Sequence, residues 1–165
     1  LIVKAIIIYF SKTGNTEALA SLIEEVLRKK EVKTEAFSMK GDEGTFVQEC
    51  FRAFLSKEVP VEIKDLETYD LIFLGSPVWA FSPVPAISSF VKHTEGWKGK
   101  KVFLFLTFGS GAGRRRAERV LSRLVEKQGG EVISVLQIKG KLMKMPERIK
   151  ERVNFFIDTS LPDSK

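Results

Sequence analysis

The 165-residue sequence predicts an α/β fold: a five-stranded parallel sheet with helices on both faces, in three layers. Three observations carry this. Apolar, β-branched runs alternate along the chain with amphipathic helical patterns. The runs are continuously apolar, which suits strands buried on both sides of a parallel sheet. No repeat, low-complexity tract or linker breaks the alternation, so residues 1–160 read as one domain and 161–165 as a fraying tail.

The elements follow in order. Ile2–Phe10 is the first strand, Val32–Phe37 a weaker second, and Asp70–Gly75, Val102–Phe108 and Glu131–Ile138 the remaining three. Residues 16–30 place Ala18, Leu19, Leu22, Ile23, Val26 and Leu27 on one helical face. Residues 45–56 do the same with Phe46, Val47, Cys50, Phe51, Phe54 and Leu55. Pro85 opens a short helix through Val91, as a proline in the first turn can. Residues 114–128 bury Val120, Leu121, Leu124 and Val125 and stop at Gly129-Gly130, and Pro146 starts a last helix carrying Ile149, Val153 and Phe156.

Composition narrows the function. With 44% hydrophobic and 29% charged residues the chain is an ordinary globular sequence and not a disordered one. Its longest apolar runs are strand-sized, so no membrane span is expected. The first residues lack the basic, apolar and small-residue sections of an export signal, which predicts a cytoplasmic protein. Cys50 and His93 are the only cysteine and histidine, so neither an internal disulfide nor a thiol- or imidazole-rich metal site can be built. Cys50 reads as a packed thiol and His93 as a surface residue.

The net charge of +6 falls entirely in residues 109–165, which hold 13 Lys/Arg against 7 Asp/Glu. That is a solvated basic face or an attractive field for an acidic partner or anionic substrate. Nucleic acid is not expected, because the basic residues are not interleaved with aromatics and no binding motif occurs.

In an open parallel sheet, ligands bind beyond the carboxyl ends of the strands. Three loops should meet there. The first, Ser11-Lys12-Thr13-Gly14-Asn15-Thr16, leads into a helix N-terminus, where free N–H groups and hydroxyls suit a phosphate. It contains neither GxxxxGK[ST] nor GxGxxG, and strand one ends without the carboxylate of a phosphoacceptor site. The second, Ser76 to Pro83, carries Trp79 and Phe81 where the chain should be exposed, available to stack on a flat ligand. The third, Gly109-Ser110-Gly111-Ala112-Gly113, could wrap the ligand's other edge.

With SKTGNT in the first loop, YDLIFLGSPVWA through strand three, and TFGSG after strand four, the chain resembles the flavodoxin family, and most closely its small short-chain members. The resemblance implies that Ser11, Lys12, Thr13, Gly14, Asn15 and Thr16 hold the phosphate of FMN. Trp79 would cover one face of the isoalloxazine, Pro77, Val78, Ala80 and Phe81 would line its edge near N5, and Thr107, Phe108, Gly109, Ser110 and Gly111 would meet the pyrimidine side. It implies electron transfer with a redox partner protein, an acidic one given the chain's basic charge. The alternative is an NAD(P)H-dependent FMN reductase of quinones or other small acceptors, and a third is an interaction module that has lost its flavin.

Two positions depart from the family. A glycine that can take positive φ is replaced by Ala80, which resists it, and an acidic residue by Phe81. Both changes predict weaker stabilisation of a one-electron reduced flavin. Arg114-Arg115-Arg116 opens the helix beside the crevice, against the helix dipole, where the arginines could pair with Glu118, bind the 2′-phosphate of NADPH, or face an acidic partner.

Overall fold

The computed structural model describes residues 2–39, 65–159 and 161. The helix expected over residues 45–56, with Cys50, lies outside them. The described elements are β1 (Lys4–Tyr9), α1 (Asn15–Lys29), β2 (Lys33–Ser38), β3 (Leu71–Trp79), β4 (Ser82–Pro83), α2 (Pro85–His93), β5 (Lys101–Phe108), α3 (Arg114–Lys127), β6 (Glu131–Lys139), a 3₁₀ turn (Gly140–Lys144) and α4 (Pro146–Asp158).

Five strands run parallel in the order β2-β1-β3-β5-β6, and β4 pairs antiparallel with β3. The chain moves outward from β1 to β2 and then returns to the other side of β1. The switch point therefore lies between β1 and β3, where such sheets open a crevice. β2 and β6 form the edges and are only partly covered, which explains the weak apolar signal of the second strand.

Alternate residues of the inner strands feed two cores. Ile6, Ile8, Ile72, Leu74, Leu104 and Leu106 face α2 and α3 through Ile87, Phe90, Val91, Leu121 and Val125. Ala5, Ile7, Phe73, Phe103 and Phe105 face α1 and α4 through Leu19, Ile23, Leu27, Val153 and Phe156. Phe73 stacks on Phe103 at 4.8 Å between centroids, and Phe156 packs edge-on to both. Each fully buried Ile or Phe contributes roughly 1.5–3 kcal/mol. Gly75 lets β3 pass the Phe105 ring, which would lie 2.1 Å from an added Cβ. Leu161, counted above with the fraying tail, packs against the α1–α4 core.

The largest departure from the sequence reading is at β3. It does not stop at Gly75 but continues to Trp79 and turns back at once as β4, pairing Trp79 with Ser82 and Val78 with Pro83. The expected loop is thus a hairpin with Ala80-Phe81 at its tip. Ser76, fully buried, fixes its base: its hydroxyl donates to the Pro77 carbonyl and accepts from the Val84 N–H at 3.0 Å. Prolines and a glycine in this stretch hid the strand from a reading based on apolar runs.

Opposite the crevice, Lys100 Nζ donates to the carbonyls of Glu67 and Tyr69, and the Tyr69 hydroxyl donates to Glu35 at 2.6 Å. Burial, together with the bond to Glu35 and its charge, pushes the Tyr69 pKa from 10.0 up to about 12. The folded state thus holds this proton more tightly than the unfolded chain, and the associated stability is complete below pH 10 and lost as pH rises through 12. Urea midpoints should fall over that window, and Tyr69→Phe should flatten that part of the fall.

Candidate functional site

The carboxyl ends of β1, β3 and β5 surround a cavity of about 460 Å³, within the range of roughly 300–1,000 Å³ common for small-molecule sites. Thr13 and Asn15 line it from the first loop, Pro77 to Phe81 from the hairpin, and Thr107 to Ala112 from the end of β5 and its loop. A fourth wall was not foreseen: Gly140 and Lys141 of the 3₁₀ turn. Gly140 was the available signal, a glycine directly after a strand end. An added Cβ there would come within 2.6 Å of the Asn15 side-chain nitrogen.

The first loop opens as a donor site. Gly14 stands at the N-cap of α1 with a φ of 89°, in the left-handed region, and no side chain caps the helix. The Gly14 N–H is taken up by Ser11 Oγ at 3.2 Å, and its carbonyl accepts from Ala18. The N–H groups of the first turn and the positive end of the dipole are thus presented at the cavity without a side-chain cap. Ser11, Lys12, Gly14 and Thr16 shape the loop but do not line the cavity.

Thr16 departs from expectation. It is buried, and its hydroxyl bonds to that of Thr107 at 2.7 Å, also buried. The pair joins the start of α1 to the end of β5, so Thr16 helps to hold two walls together and is not among the residues that line the cavity.

The hairpin corrects two further expectations. Trp79 is not an exposed plate: it is buried, edge-on to Phe10 with centroids 5.5 Å apart, and forms an inner wall. Phe81 is the exposed aromatic. Nor does Ala80 avoid the left-handed region: its φ is 45° and that of Phe81 is 65°. A two-residue hairpin matches the twist of its strands best when both central residues have positive φ, so the register imposes what the side chains disfavour. Each such residue costs about 1–3 kcal/mol. Part of the support comes from Gly113, where an added Cβ would fall 2.2 Å from the Phe81 ring and 2.5 Å from its Cα. The hairpin tip therefore rests directly on the residue that starts α3.

A second cavity, of about 660 Å³, shares Phe108, Ser110 and Gly111 with the first and is lined by Arg114, Arg115, Arg116, Arg119 and Lys139. Arg114 stacks on Phe108 with its guanidinium carbon 5.2 Å from the ring centroid. The local pairing considered for these arginines does not form: Glu118 accepts instead from Gln137 Nε2. Among the described residues, no group of three or more Cys, His, Asp or Glu could hold a metal ion, and no helix is long and apolar enough to cross a membrane.

The family model described as NADPH-dependent FMN reductase matches residues 3–138. Among solved structures, the fold is similar to a flavoprotein in complex with FMN from Lactobacillus acidophilus NCFM, at 24% identity, covering 82% of this chain and 93% of that one, with a TM-score of 0.64. It is similar to oxidised flavodoxin 2 from Bacillus cereus, at 22% identity over 96% and 98% of the two chains with a TM-score of 0.69. It is also similar to a flavodoxin from Streptococcus pneumoniae TIGR4, at 14% identity over 95% and 97% with a TM-score of 0.63. No curated protein matches the sequence.

The hydroxyl pair makes a test of how the walls are joined. Thr16→Val or Thr107→Val alone should destabilise the protein by about 1–3 kcal/mol, since each strands a buried hydroxyl. The double variant should cost clearly less than the sum of the two in urea denaturation.

Proposed function

Because this chain belongs to the NADPH-dependent FMN reductase family and has a flavodoxin-like fold, we propose that it binds FMN in the 460 Å³ cavity and exchanges electrons with a redox partner protein. The observation that carries the proposal is the uncapped N-terminus of α1 at the polar end of that cavity. A phosphate accepting N–H bonds there would take up the donors that every helix start leaves open.

The residues fit the cofactor. The first-turn N–H groups, with the exposed Thr13 and the half-buried Asn15, form an anion cradle. The rest of the cavity is bounded by Trp79, the Ala80–Phe81 tip and Phe108, which suits a flat aromatic body better than a bare anion. Thr16 and Thr107 set the separation of the walls, and Gly140 closes the side next to Asn15. FMN, when bound, supplies the redox chemistry, in one- or two-electron steps. The chain's part is to hold it, to exclude water from its inner face with Trp79, and to keep backbone polar groups of the hairpin at its edge. Ala80 already stands at positive φ, so its alanine side chain does not bar the hairpin from that conformation.

A second reading is favoured by the family's description: the chain itself accepts hydride from NADPH and passes electrons to a quinone or similar small acceptor. Hydride transfer to flavin requires no acid or base, so the lack of an identifiable one does not oppose it.

Purified protein should take up FMN and turn yellow, and Thr13→Ala should weaken the affinity about tenfold or more, as expected for a lost hydrogen bond to a charged phosphate. Fluorescence titration reads both, and unchanged affinity would place the phosphate elsewhere. Rapid bleaching of the loaded protein by NADPH alone would favour the reductase. No bleaching by NADPH, with reduction by an electron-transfer protein, would favour the carrier.

A further inference from the structure

We infer that the arginine-lined face of α3, together with the exposed Phe81 tip, is a docking surface for an acidic protein. The inference rests on the electron-transfer reading above and names the kind of partner.

The charge has a definite place. Arg114, Arg115, Arg116, Arg119 and Lys139 line one shallow cavity, and Lys141 lines the neighbouring one. The first turn of α3 contains no acidic residue. Glu118, the nearest carboxylate in sequence, is engaged by Gln137, and no salt bridge joins these arginines to a carboxylate among the described residues. Three arginines set against the positive end of a helix dipole oppose the fold's own electrostatics, so they do not serve helix stability.

The shape favours a protein over a small anion. Arg115, Arg116 and Arg119 are exposed and spread over little more than one turn of helix, a wider array than the single guanidinium fork that can hold one phosphate. Beside them Phe81 is 47% exposed on a tip that rests on Gly113. A rigid aromatic knob flanked by charges is the composition of a protein-docking patch, an apolar centre with a polar rim. The two cavities share Phe108, Ser110 and Gly111, so a protein seated on the arginines lies against the wall of the proposed flavin site. A second copy of the chain does not suit this face, because the chain carries a net charge of +6.

The test uses FMN-loaded protein and a fluorescently labelled plant-type ferredoxin as the acidic probe, with binding read by anisotropy. Binding should be detectable at low ionic strength and weaken about tenfold or more near physiological salt. The combined variant Arg115→Glu, Arg116→Glu, Arg119→Glu should weaken it at least tenfold at low salt, with FMN affinity unchanged. An equal charge change at the far end of the sheet, Lys33→Glu, Lys98→Glu, Lys101→Glu, should alter it no more than about twofold. Equal losses in the two variants would assign the effect to net charge and overturn the docking surface, as would no loss in either. Binding of adenosine 2′,5′-bisphosphate that is lost in the arginine variant while ferredoxin binding persists would make the face a nucleotide site and also overturn it. If the protein takes up no FMN, the electron-transfer reading fails by itself, and anisotropy on the unloaded chain still decides whether the acidic probe docks there.

Discussion

Strands β1, β3 and β5 are buried on both faces, and the chemistry of the molecule is arranged around that constraint. A side chain in the middle of such a strand has no route to water, so a polar group there would lose its solvation with little to replace it. Aliphatic and aromatic residues fill most of those positions, the buried hydroxyls of Ser76 and Thr107 are hydrogen-bonded, and most other hydroxyls, glycines and charges lie past the strand ends. The strand order then decides which ends meet. With the switch between β1 and β3, the first loop, the β3–β4 hairpin and the β5 loop surround one space.

What holds that space open is a small set of contacts between walls. The Thr16–Thr107 bond ties the start of α1 to the end of β5, and Gly140 admits the 3₁₀ turn against Asn15. The hairpin tip is the strained member, with two successive residues at positive φ that neither alanine nor phenylalanine favours. It is held by antiparallel pairing below, by Ser76 at the base and by Gly113 behind. Strain of this kind is tolerated where surrounding structure over-determines it, and here it lies on the rim of the candidate site. The same Gly113 begins the arginine helix, so the edge of the proposed flavin cavity and the basic face are mechanically one unit.

The first loop was the most legible part of the site, because a glycine and hydroxyls between a strand and a helix permit few arrangements. The hairpin was misread for a physical reason. Pro77, Pro83 and Gly75 are weak strand formers, and pairing with β5 on one side and β4 on the other overrides local preference. Trp79 was expected outside because it lies beyond an apolar run, yet Phe10 gives it an edge-on partner inside. Gly140 and Lys141 escaped notice because a glycine after a strand end is only a weak signal, and it is the 3₁₀ turn that brings them beside Asn15.

The sequence by itself determined the α/β class, three of the described helices to within about two residues, the start of the last one, and the placing of most polar function past the strand ends. These follow from periodicity and burial, which act over a few residues at a time. Only the tertiary structure decided which hydroxyl faces the cavity and which is used up in the scaffold, whether Ala80 takes positive φ, and whether the arginines are paired. Each of those depends on a partner far away in the chain: Thr107 for Thr16, Gly113 for the hairpin tip, and Gln137 for Glu118. No local pattern can encode a distance between segments that only folding brings together.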